Sequence, residues 1–176
     1  MRGQPTSDPP EDPPADPFAV AREMALRLLT VRAHSRQELE AALRRRRVTP
    51  DVIDDVLRRF GDVGLINDTD FAAGWVSSGR SRLRSGRRLR HELRAKGVTD
   101  DAAARAIAQR EPDADLIAAR AIAMKRLGLA RGLGREARYR RVAGALARAG
   151  FSTDVVVRVT RETVGADVVE GDLDEV

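Results

Sequence analysis

The sequence contains no cysteine, which removes a disulfide framework, a thiolate nucleophile and any Cys-ligated zinc or iron–sulfur site. Only two histidines, His34 and His91, occur in 176 residues, so a His-based metal site or acid–base pair has little to draw on. Aromatic residues make up 3% of the chain, too few for the stacking platforms that hold single-stranded nucleic acid. No run approaches the ~20 apolar residues of a membrane helix. The first 17 residues are acidic and proline-rich, the reverse of a basic-then-apolar signal peptide. No Ser–His–Asp or paired-carboxylate spacing can be defended. The glycine-containing connections at 79–86 and 128–134 follow no strand and match no phosphate loop. These shortages point away from an enzyme, a cofactor and a membrane, and toward a soluble cytoplasmic protein, a monomer, that binds something.

Charge is what the chain has in quantity. Formal net charge is +5, but it is an average over opposing parts. Residues 1–17 hold six of the eight prolines, four acids and one arginine, and are expected to be a disordered arm. Residues 165–176 carry five acids and no base, an expected solvated tail. The intervening body has 31 bases against 18 acids, a net of +13. Such a body attracts a polyanion or an acidic protein surface. Nearly all the bases are arginine; a GC-rich genome and selection for bidentate contacts both produce that bias.

Self-comparison exposes a repeat. The segments from Ser35, Ser85 and Arg138 superpose at offsets of 50 and then 53 residues. Leu39/Leu89/Val142 and Leu43/Leu93/Leu146 give two apolar positions four apart, one face of a helix. Val48/Val98/Phe151 follow, then the capping residues Thr49/Thr99/Ser152. The second apolar set is Ile53/Ala103/Val156 and Val56/Ala106/Val159. Ser35-x-x-Glu38 reads as a capping box, and Thr49-Pro50 as a cap before a first-turn proline. Gly97 and Gly150 stand where a chain leaving a helix turns left-handed, with Arg47 in their place in the first copy. An earlier helix completes each unit, over 18–32, 69–79 and 114–128, with Asp68, Asp70 and Asp113 as candidate caps. The expected fold is all-α: three tandem three-helix repeats (18–66, 67–112 and 113–164) in an elongated, curved array between disordered termini. The Val155–Val157 run follows a cap and aligns with two helices, so it too is read as helix.

The basic residues recur at matching repeat positions. The densest stretch holds Arg80, Arg82, Arg84, Arg87, Arg88, Arg90, Arg94 and Lys96, and Leu89 and Leu93 direct its helical arginines outward. Arg44, Arg45 and Arg46 (with Arg47) match it in the first repeat, and Arg131, Arg135, Arg138, Arg140 and Arg141 in the third. Stacked repeats would align these as a contact stripe for an acidic groove or phosphates; the alternative is ordinary solvated helix surface. Recurrence favours contact. Trp75, four residues from Phe71, is read as core packing rather than a partner anchor.

Two stretches then resemble a known family. Gly64-Leu65-Ile66-Asn67-Asp68-x-x-Phe71-Ala72-x-x-Trp75-Val76, continuing to Arg88-Leu89-x-x-Glu92-Leu93-x-x-Lys96-Gly97-Val98, looks like the central signature of the RecX regulatory proteins. Ser35-Arg36-x-Glu38-Leu39-x-x-x-Leu43 is similar to that family's first repeat. The resemblance spans about residues 18–164 and is weakest in the third repeat. Arg47, where the family usually has glycine, and Gly79, within a usually basic stretch, depart from it. The resemblance implies a small all-helical protein that binds the RecA recombinase filament. It further implies inhibition of strand exchange, ATP hydrolysis and coprotease activity in recombination, DNA repair and the SOS response. It brings no catalytic residues. The residues alone also admit a direct DNA-binding protein of helical-repeat type, touching single-stranded DNA with or without the filament, or a helical scaffold for another protein. The sign opposition between ends and body suggests that the acidic tail competes with the partner for the basic stripe.

Overall fold

A computed structural model describes residues 16–171, the side chains of 166–171 excepted. The described residues form nine α-helices and no strand. They fall into triplets: α1 (Pro17–Val31), α2 (Arg36–Arg45) and α3 (Pro50–Asp62); α4 (Asp68–Ser77), α5 (Gly86–Arg94) and α6 (Asp100–Ala108); α7 (Ala114–Gly128), α8 (Arg135–Arg148) and α9 (Thr153–Gly171). In each triplet the third helix packs against both the first and the second.

Each triplet has its own core, built on the aligned positions. Leu39, Leu89 and Val142 are fully buried, as are Leu43, Leu93 and Leu146. In the first triplet Ala21 and Ala25 of α1 meet Ile53, Val56, Leu57 and Phe60 of α3. The middle triplet is thinner: Ala102, Ala103 and Ala106 let α6 lie close under Phe71 and Ala72. The third buries Ala118, Ala119 and Ala123 against Val142, Leu146, Phe151 and Val159. Truncating one leucine of such a pair to alanine removes about 2–5 kcal/mol.

The helix starts follow local chemistry with three corrections. The capping box is present: Glu38 N donates to Ser35 Oγ at 3.1 Å, and Ser35 N to Glu38 Oε2 at 3.4 Å. Thr99 and Ser152 accept from Ala102 N and Val155 N. Thr49, however, makes no side-chain cap bond, and Pro50, already fixed at a helical φ, starts α3 alone. Neither Asp68 nor Asp70 caps α4. Asn67 does, accepting from Thr69 N and Asp70 N, because it is the extended residue just before the helix, whereas Asp68 and Asp70 already lie within the first turn. Asp113 stands at the start of α7 without a side-chain cap bond.

At the ends, α1 begins one residue before its expected start. Asp16 accepts from Phe18 N at 3.0 Å and Pro17 is the first helical residue. The rest of the acidic arm, residues 1–15, lies outside the described residues. α9 continues to Gly171, into the segment expected to be a solvated tail. One helical glycine, Gly165, costs only about 1 kcal/mol, and no proline stops the helix. The tail residues 172–176 lie outside the described residues.

Neighbouring triplets are joined by one device used twice. The Ser35 hydroxyl, already capping α2, donates to the Lys96 carbonyl at 2.6 Å; the Ser85 hydroxyl, capping α5, donates to the Ala149 carbonyl at 3.0 Å. Beside each carbonyl is a glycine at positive φ, Gly97 at +78° and Gly150 at +85°. A Cβ on Gly97 would lie 2.6 Å from Gln37 Cβ, and one on Gly150 would lie 3.0 Å from the Ser85 hydroxyl. An aspartate completes each joint by capping the preceding triplet's second helix. Arg36 N donates to Asp68 Oδ1 at 2.9 Å, and Gly86 N to Asp115 Oδ1 at 3.0 Å. Arg110 reinforces the second joint through Asp115 (2.7 Å) and the Arg84 carbonyl (3.1 Å).

The same device explains Arg47. It too has positive φ, +63°, but it is exposed and no described triplet packs on it. The steric reason for glycine is absent there, and only the modest cost of a left-handed side chain remains.

Candidate functional site

The arginines predicted to form a contact stripe lie on the second helix of each triplet or in the connections flanking it. In the middle triplet a 3-10 turn, Gly79–Ser81, is pinned by Ser78 and Ser81, whose hydroxyls donate to the Trp75 carbonyl at 2.7 and 2.6 Å. With Ser81 buried, Arg80 and Arg82 on either side project outward. Along α5 the burial of Leu89 and Leu93 leaves Arg87, Arg88, Arg90 and Arg94 exposed, as the helical period requires.

These bases divide by what they touch. Arg84 and Arg88 both pair with Glu92. Burial would raise the Glu92 carboxyl, but the two guanidinium groups outweigh it and hold it below the usual carboxylate range. The Trp75 indole N–H adds to that field without reaching full hydrogen-bond geometry. Arg94 forks onto Asp100, with Nη2–Oδ2 at 2.7 Å, and Arg44 meets Glu40 at 2.6 Å. Arg138 Nε donates to the Leu133 carbonyl at 2.8 Å. The side chains of Arg45, Arg46, Arg80, Arg82, Arg87, Arg90, Arg131, Arg135 and Arg141 make no ion pair among the described residues. These charges are exposed and occur in all three triplets.

Lys96 stands apart from the stripe. It is only 20% exposed, lies 2.6 Å from Glu38 Oε1 and sits 4.3 Å above the Trp75 ring. Glu38 also receives Arg32 at 2.9 Å. Burial would raise the Glu38 carboxyl, but Arg32 and Lys96 bring it down to about 2. The group ties the first triplet to the second. Sequence spacing placed Lys96 among the surface bases because its partner is far along the chain.

Trp75 stacks on Phe71 with ring centroids 6.0 Å apart, as core packing predicts, yet it is half-buried rather than enclosed. It floors a cleft of about 520 Å³ at the first joint, between Leu29, Leu65 and Phe71, with Arg32 and Arg80 at the rim. His34 is held locally, its Nδ1 2.9 Å from the Arg32 carbonyl oxygen. His91 is exposed. Among the described residues no cluster of His, Asp or Glu is built to hold a metal ion, and no helix is long and apolar enough to cross a membrane.

Comparison with known proteins agrees with this architecture. Residues 21–60 match the family model of the first three-helix domain of RecX, and residues 67–107 that of its second. The chain is 42% identical over 158 residues to the regulatory protein RecX of Thermobifida fusca, covering 88% of this chain and 84% of that protein. It is likewise 42% identical over 166 residues to the regulatory protein RecX of Streptomyces coelicolor, covering 93% and 83%. The crystal structure of RecX from Lactobacillus salivarius superposes with a TM-score of 0.72 at 22% identity, over 85% of this chain and 97% of that one. A second RecX crystal structure superposes at 0.75 and 23% identity, over 82% and 73%. These structural matches show the shared fold.

Proposed function

The chain belongs to the RecX family of regulatory proteins, and from that membership we propose that it binds the RecA recombinase on single-stranded DNA and inhibits it. The observation that carries the reading is the set of unpaired arginines repeated on all three triplets, Arg45 and Arg46, then Arg80, Arg82, Arg87 and Arg90, then Arg131, Arg135 and Arg141. A repeat scaffold presenting charge at regular intervals suits a partner that is itself a repeating assembly. Contacts to successive protomers would hold them in one state, so that the filament neither turns over ATP nor extends. The role is stoichiometric, needing no group that makes or breaks bonds.

Strand exchange and ATP hydrolysis by purified RecA should both fall as the protein approaches equimolar ratio. Reversing Arg80, Arg82, Arg87 and Arg90 to glutamate should weaken the inhibition at least about tenfold, since several contact charges change sign together. None of the four supports the fold through an ion pair, so melting should be little changed. Unaltered RecA activity in the presence of the wild-type protein would overturn the reading.

The acidic tail offers a second check. If it competes with the partner for the basic surface, removing residues 172–176 should tighten filament binding at low salt and leave it unchanged at high salt. The truncation begins at Asp172 because α9 reaches Gly171. Equal affinities at low salt would rule the competition out.

A further inference from the structure

The cleft at the first joint is apolar, and a proline-rich segment of the same chain begins within reach of it. Phe71 and Trp75 form the floor, flanked by Leu29 and by Leu65, which is 49% exposed. Gly74 also lines it, and a Cβ there would meet nothing within 4 Å, so the surface beside the indole stays open. At the rim Arg32 and Arg80 stand against one acid, Asp70. Arg32 is already held by Glu38 at 2.9 Å, whereas Arg80 makes no ion pair among the described residues. An aromatic floor beside a free guanidinium suits an extended apolar chain that carries acids.

Residues 1–15 have that chemistry. They hold Pro5, Pro9, Pro10, Pro13 and Pro14, interspersed with Asp8, Glu11 and Asp12, and a single base, Arg2. The helix they lead into, α1, forms one wall of the cleft at Leu29. From Pro17 to Leu29 the helix rises about 18 Å, at about 1.5 Å per residue. A proline-rich chain running back along α1 advances about 3.1 Å per residue, so roughly six steps from Asp16 bring Pro10 level with Leu29.

We propose that residues 5–10 seat in this cleft of their own molecule as a polyproline II segment, with proline rings on Trp75 and Phe71 and Asp8 toward Arg80. Such a segment is already extended, so it loses little conformational entropy on docking, and aromatic-lined grooves are its usual seat. The acidic tail is the poorer occupant: it has no proline and follows α9, which packs on α7 and α8. Tethering makes a weak contact sufficient. At an effective concentration of about 1 mM, a contact with a Kd of about 0.1 mM is roughly 90% formed. A seated arm covers Arg80, one base of the proposed contact surface, and so competes there with the partner; the docking itself needs no recombinase.

Trp75 is the only tryptophan, so its fluorescence reports on this cleft alone. Acrylamide should quench the full chain at least about twofold less than a chain lacking residues 1–15, as for a largely occupied cleft. The truncation keeps Asp16, the cap of α1, so melting should be little changed. In the full chain P9G/P10G preserves length and charge and should be quenched like the truncated protein. A synthetic peptide of residues 1–15 added to the truncated protein should restore protection saturably below about 1 mM. Equal quenching of the full and truncated chains would overturn the proposal, as would a peptide that gives no protection. Protection retained in P9G/P10G would assign the effect to charge, and protection lost on dilution would place a second molecule's arm in the cleft; either overturns it. With RecA absent throughout, failure here leaves the inhibition experiment to be judged on its own.

Discussion

Replacing Gly97 with alanine is expected to destabilise the joint between the first two triplets by about 2–4 kcal/mol. At φ +78° an added Cβ brings the cost of a left-handed side chain, about 1 kcal/mol. The larger part is steric, because that Cβ would lie 2.6 Å from Gln37 Cβ. The Gln37 atom is attached directly to the backbone of α2, so no rotamer change removes the clash; the triplets must separate. Separation also breaks the bond from the Ser35 hydroxyl to the Lys96 carbonyl. Gly132 supplies the control. Its φ is +87°, yet a Cβ added there would meet nothing within 4 Å, so its alanine variant should lose only the conformational part. Hydrogen exchange at the starts of α2 and α4 localises the effect better than a global melt, since three cores need not unfold together. Equal costs at positions 97 and 132 would show that close packing at the joint is unimportant.

Glu38→Gln is expected to produce the next largest loss, about 2–3 kcal/mol at neutral pH. Glutamine can still reach Ser35 N in the capping box, so the change isolates the ionic contacts with Arg32 and Lys96. It leaves Lys96, 20% exposed and facing Trp75, without its counter-charge. An unmatched charge in that position costs more than removing both partners, so adding Lys96→Met to Glu38→Gln should restore part of the stability. The pH dependence has a definite sign. Glu38 titrates near 4.5 in an unfolded chain and at about 2 when folded, so its contribution is complete above 4.5 and disappears as pH falls toward 2. Thermal melts of wild type and Glu38→Gln should therefore differ most near neutrality and converge at about pH 2. A difference that persists there would assign the effect to packing.

The sequence made the helices and their buried faces legible because both are local properties. Leu39 and Leu43 lie one turn apart, and the same pair recurs at Leu89 and Leu93 and at Val142 and Leu146. The corresponding faces of all three second helices are buried. What joins triplets was not legible from period or spacing. Asp68 looks like a cap for the helix it begins, yet it caps α2, 32 residues earlier. Lys96 looks like one more base in a basic run, until the fold brings Glu38 and Trp75 to it. Ser85 and Gly150 did carry a signal, since they recur at repeat offsets from Ser35 and Gly97, but periodicity alone does not say that they touch.

Each joint needs a hydroxyl on one triplet and a glycine beside a carbonyl on the next. The first triplet has the hydroxyl, Ser35, but Arg47 at the glycine position; the third has the glycine, Gly150, but Arg138 at the repeat position of Ser85, and its α8 starts a turn earlier behind Gly134. Only the middle triplet carries both halves, Ser85 and Gly97. The joints are thus directional, like a plug and a socket, and fix the order of the triplets as well as their contact. A duplicated middle triplet would seat against itself and lengthen the protein by one unit, whereas a duplicated first or third would present two like ends. Reach along a repeating partner is then a property that tandem duplication of a single segment can change in whole steps.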